Sequence, residues 1–276
     1  MRVIKRINKI SAVLLFLGTY VTMPVASAEI NDCGRLGEYI MCNQASLNIT
    51  TLWGKAQIAQ KSTIRGREIL ANRKWKAGLE AMIKEDYIEA AIQFSQAAEL
   101  NPQDACVYEY LGDAYFGLND KEKALENYNK AIGLDPTNAF VYEKRGKTYE
   151  ALEDYEKAIE EYTKAIELEQ RVGDFYIERG MVYSCVGNYK SALSDFTDAV
   201  ERSPSSTIAY GLRGLTYLSL RDYENAIFDC TRAIEIDPGN AGAYSTRGLA
   251  YKMIGDALRA NDDFIMAKSL GYGEND

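Results

Sequence analysis

Histidine occurs at none of the 276 positions. That excludes imidazole acid–base catalysis and every metal site that needs an imidazole ligand. The sequence also holds no C-x-x-C pair, no G-x-S-x-G elbow, no G-x-x-x-x-G-K-[ST] loop and no G-x-G-x-x-G turn. Cysteine and proline are sparse, at five residues each. The expectation is a non-enzymatic protein without catalytic residues, cofactor or metal.

Arg2, Lys5, Arg6 and Lys9 precede an apolar run over residues 10–25 that ends in Ala26-Ser27-Ala28. A basic start, a short apolar core and an A-x-A ending describe a secretory signal peptide over 1–28, cleaved after Ala28. The expected location is therefore periplasmic or secreted. Removing the leader's four cations from 32 leaves 28 basic against 40 acidic side chains, a net of −12. Phosphate recognition needs a basic footprint, so nucleic acid is not an expected partner. The charge is uneven: residues 51–84 hold eight cations and two anions, a net of +6. This stretch reads as a solvated basic helix over about 51–69, or as an electrostatic docking element toward an acidic or membrane surface.

Comparison of the chain with itself at an offset of 34 aligns six units without insertion: 71–104, 105–138, 139–172, 173–206, 207–240 and 241–274. Stepping 100° per residue puts positions 4, 7, 8 and 11 of a unit on one helical arc. Tyrosine recurs at positions 4 and 11, glycine at 8, and alanine at 20 and 27 of a second helix. The ten tyrosines at those two positions are half of the chain's 20, so most tyrosine serves packing. Pro102, Pro136, Pro204 and Pro238 stand at position 32 and stop the second helix. The second unit carries Tyr108-x-x-Leu111-Gly112-x-x-Tyr115, then Ala124-x-x-x-Tyr128, Ala131 and Pro136. On these residues the chain resembles the tetratricopeptide repeat family. The resemblance implies an all-α fold, a right-handed superhelical solenoid of antiparallel helix pairs.

Position 7 is Arg145, Arg179, Arg213 and Arg247 in units three to six, and position 23 is Glu161, Asp195, Asp229 and Asp263. Units one and two have Ala77 with Gln93 and Leu111 with Asn127. Cation is matched by anion and non-cation by amide, which predicts structural ion pairs between the two helices of each unit. At positions 21 and 28, where other units are apolar, the sixth has Asn261 and Lys268, the polar outer face of a terminal repeat.

In the family, positions 2, 5, 9, 12 and 13 line the concave surface. The resemblance thus implies a peptide-binding groove of Glu109, Asp113, Glu143, Glu150, Ile177, Met181, Ile208, Leu215, Leu218, Leu249 and Met253, with Lys147 as a cation. The family's carboxylate clamp is not reproduced there. An apolar floor beside an acidic wall suits a protein or peptide with apolar anchors and basic residues. The chain's own N-terminal segment is the other candidate cover. In 29–70, Cys33 and Cys42 are close enough in sequence to predict a disulfide after export, while Cys106, Cys185 and Cys230 read as buried small residues. The expected function is an interaction scaffold or adapter; the alternative is a self-assembling structural envelope protein.

Overall fold

The computed structural model describes the backbone of residues 33–272 and the side chains of residues 54–272. The leader expected over 1–28 lies outside the described residues. Among the described residues twelve helices follow one another: α1 Cys33–Ile83, α2 Tyr87–Leu100, α3 Ala105–Gly117, α4 Lys121–Leu134, α5 Ala139–Ala151, α6 Tyr155–Leu168, α7 Gly173–Cys185, α8 Tyr189–Arg202, α9 Thr207–Ser219, α10 Tyr223–Ile236, α11 Ala241–Met253 and α12 Ala257–Ser269. The compact unit begins at Thr63, and the described part of the unit before it is helix alone. No strand occurs among the described residues.

Helix boundaries follow from local chemistry. Asp86, Asp104, Asp120, Asn138, Asp154, Asn188, Ser206, Asp222, Asn240 and Asp256 each accept a hydrogen bond from a backbone N–H in the first turn of the next helix. Such caps each stabilise a helix by about 1 kcal/mol. Within each repeat the turn passes through a left-handed residue at position 15: Glu85, Asn119, Glu153, Gly187, Arg221 and Gly255, with φ from 58° to 84°. Four of the six carry side chains there, and the strain is tolerated because both flanking helices are packed.

The pairs α3–α4, α5–α6, α7–α8, α9–α10 and α11–α12 pack as hairpins, and each hairpin packs on the next. In α3, a Cβ on Gly112 would lie 2.5 Å from the Tyr128 ring. The glycine thus makes room for the aromatic residue at position 24, which is buried in the hairpin seam. Tyr162, Phe196 and Phe264 take that place beside Gly146, Gly180 and Gly248, and Cys230 takes it beside Gly214. Asn261 and Lys268 are exposed on α12.

The four arginines lie in the seam. Arg179 donates to both carboxylate oxygens of Asp195 at 2.9 and 2.7 Å, Arg213 to Asp229 at 2.7 and 2.9 Å, and Arg247 to Asp263 at 2.8 and 2.7 Å. Arg145 Nη2 donates to both oxygens of Glu161 at 2.8 Å. Each guanidinium also reaches into the preceding repeat, where position 25 accepts: Asn129 from Arg145 at 2.6 Å, Thr163 from Arg179 at 2.9 Å, Thr197 from Arg213 at 3.4 Å and Thr231 from Arg247 at 3.1 Å. Burial works against the charge on Arg179, and the Asp195 contacts outweigh it, holding its pKa above the ordinary value.

Two expectations are corrected. The basic stretch is not a separate helix over 51–69: α1 runs unbroken to Ile83, and residues 55–70 are exposed. The Cys33–Cys42 disulfide expected from the sequence falls on residues whose side chains lie outside those described. Cys106 and Cys185 are exposed rather than buried, since positions 2 and 13 face away from the seam; only Cys230 among the three is buried.

Removing one member of a buried pair leaves the other uncompensated, which costs about 3–5 kcal/mol. Arg213→Ala is expected to lower stability by about that much, with Asp229→Asn adding little on top; denaturant melts of the two single variants and the double variant measure this. Burial pushes the Cys230 thiol up to about 12 from an ordinary 9.0. The folded state therefore holds this proton where the unfolded state releases it, so the thiol's contribution to stability falls as pH rises from about 9 to 12. Alkylation followed by mass spectrometry should modify Cys106 and Cys185 in the native protein and Cys230 only after denaturation.

Candidate interaction groove

The first helices of successive repeats touch one another along α3–α5, α7–α9 and α9–α11. Their outward arcs form the face on which the predicted site residues lie. The contact between neighbouring first helices joins position 9 of one repeat to position 6 of the next, and its chemistry changes along the array.

In repeats two to four this seam is ionic. Lys144 Nζ donates to Glu109 at 2.6 Å and to Asp113 at 2.7 Å. Lys147 lies 2.7 Å from Glu143 and 3.0 Å from Glu178. Lys144 of α5 thus holds two carboxylates of α3, and Lys147 links a carboxylate of its own helix to one of α7. The Tyr128 hydroxyl donates to Asp113 at 2.8 Å, the Tyr162 hydroxyl to Glu150 at 2.9 Å, and the Asn138 amide to Glu109 at 3.1 Å. Burial disfavours the charge on Lys144, yet Asp113 and Glu109 more than offset it and hold its pKa above the ordinary lysine value. Burial pushes the Glu178 carboxyl up, against the pull of Lys147.

The wall is therefore less bare than its sequence implies. Glu109, Asp113, Glu143, Glu150 and Glu178 face two ammoniums, leaving a net of −3, and four of the five carboxylates already hold a lysine. Lys144 was missed because it sits at position 6, one step off the arc assigned to the groove. Ile177 is corrected outright: it is buried with Phe175 and Tyr176, and Met181 and Leu212 pack against the same cluster. Position 5 of repeat four is covered within this apolar cluster, to which the next first helix contributes Leu212.

Further along, the face is apolar and open. Ile208, Leu215, Leu249 and Met253 are 61%, 46%, 41% and 58% exposed, and Leu218 is half-buried. Phe140, at position 2 of repeat three, is exposed beside Phe175 with ring centroids 5.4 Å apart. It belongs to the same face and was passed over because its neighbours there are charged. The described residues contain no group of three potential metal-binding carboxylates or thiols, and none of the described helices is long and apolar enough to cross a membrane.

Tetratricopeptide repeat models match residues 139–171 and 207–240, and a related TPR repeat model matches 112–153. A search of curated proteins gave no significant match. Among solved structures, the chain is similar to YrrB, described as a TPR protein with an unusual peptide-binding site, at 27% identity, TM-score 0.56, over 66% of this chain and 93% of that one. MamA is similar at 28% identity, TM-score 0.56, over 60% and 91%. The pilF protein of Pseudomonas aeruginosa, at 19% identity, TM-score 0.65 and coverage of 75% and 95%, shares the fold. With the 34-residue hairpins and the seam described above, these matches make the chain a tetratricopeptide-repeat protein.

Proposed function

We propose that the chain is an exported, non-enzymatic scaffold that holds a polypeptide segment against the face of its first helices. The observation that carries this reading is the open apolar row Ile208, Leu215, Leu249 and Met253. Exposed apolar side chains grouped on one face mark an interaction surface, and the seam of the array does not use them. The fold supports a protein partner, since stacked hairpins present an extended surface for one, and YrrB is described as having a peptide-binding site. The ion-paired wall of repeats two to four favours partners with some cationic side chains beside their apolar anchors. The self-assembling alternative draws on the same face.

Export rests on the basic, apolar and A-x-A order of residues 1–28. Residues from the periplasm or medium should begin at Glu29 by N-terminal sequencing; a chain that retains Met1 contradicts cleavage. For the groove, the paired change Leu215→Asp with Leu218→Asp should abolish the capture of envelope proteins by the purified chain while leaving its helical melt cooperative. Undiminished capture by a folded variant would refute the apolar floor.

A further inference from the structure

We infer that the segment occupying this groove is residues 55–70 of α1 from a second copy of the chain. This rests on the groove reading above and names the occupant. Every residue from Lys55 to Leu70 is exposed, including Ile58 at 69%, Ile64 at 49% and Ile69 at 56%. Gly54 and Gly66 have open space where a Cβ would be. Isolated helices draw little stability from propensity alone, and internal glycines lower it further. Such a stretch gains its stability from a surface packed against it.

The two surfaces carry matching chemistry. The arm presents Lys55, Lys61, Arg65 and Arg67 with Glu68 as its one acid, interleaved with three isoleucines. The groove presents five carboxylates against two lysines, then an open apolar row. Sixteen helical residues extend about 24 Å, which spans two to three first helices at packing distances of about 8–10 Å. That length reaches from the ionic seam onto the apolar one. Within the unit that begins at Thr63 the helix runs unbroken to Ile83 and offers no turn at which residues 63–70 could fold back. The occupant is therefore another molecule's arm, a basic helix with apolar anchors laid in a groove.

Arm and groove are different patches, so a chain defective in one retains the other. The test uses purified full chain in light scattering over a concentration series, at low salt and at about 0.5 M salt, where exposed charge attraction is screened. The wild type should associate with rising concentration and weaken in salt. Lys61→Glu with Arg65→Glu and Arg67→Glu (arm), and Leu249→Asp with Met253→Asp (groove, both exposed positions), should each weaken self-association at least about tenfold. Mixing the two variants should restore a one-to-one complex, because one intact arm meets one intact groove. A wild type that stays monomeric throughout, or an arm variant that associates like wild type, overturns the inference. If the chain is monomeric but capture of other polypeptides still depends on Leu215 and Leu218, the second-copy occupant fails and the groove reading stands. If capture is also indifferent to those residues, both fail.

Discussion

One contact organises the array: a guanidinium that joins three helices. At Arg179, Arg213 and Arg247 the fork closes on an aspartate of the same hairpin, and its remaining nitrogen donates to a threonine of the hairpin before. Asp229 is 1% exposed, and a carboxylate so placed is tolerated only when paired. The energetic gain over an apolar substitute is small, but the geometry is demanding. A bidentate pair plus a hydroxyl acceptor specifies both the angle within a hairpin and the register between hairpins.

The first junction shows what happens without it. Repeat two has Leu111 and Asn127, and Asn127 turns its amide onto the carbonyl of Lys123 in its own helix. The join to repeat one relies instead on aromatic and apolar packing: Trp75 edge-on to Tyr110 at 6.0 Å, and Phe94 stacked on Tyr110 at 5.7 Å. At the other end Ile265 replaces the threonine of position 25 on α12 and is exposed, so an arginine stacked there would find no hydroxyl. Because the bridges and the glycine–aromatic pairs occupy the seam, the opposite arcs of the first helices are less constrained by packing. Their composition varies from ionic to apolar along the array, as a surface selected for recognition would.

Much of this was legible in the sequence, and the exceptions share a cause. A strict 34-residue period reports contacts within one unit, so the glycine at position 8 and the covariation of positions 7 and 23 could be read directly. Contacts between units depend on how hairpins stack. The threonine at position 25 and Lys144 at position 6 are therefore silent until neighbours are in place. Ile177 looked like its exposed counterparts because it is buried in a cluster that draws on Leu212 of the next first helix. The unbroken α1 lacked a visible signal of another kind: no proline or capping residue separates 51–69 from the first repeat, and that absence was the clue to a single helix.

The claim that each arginine couples one repeat to the next is tested most directly by a double-mutant cycle across a junction. Thr163 and Arg179, 2.9 Å apart, belong to successive repeats. Unfolding free energies of Thr163→Val, Arg179→Ala and the double variant should show a coupling of at least about 0.5 kcal/mol. Losses that add to within about 0.3 kcal/mol would contradict it, and would reduce the arginines to fasteners within single hairpins.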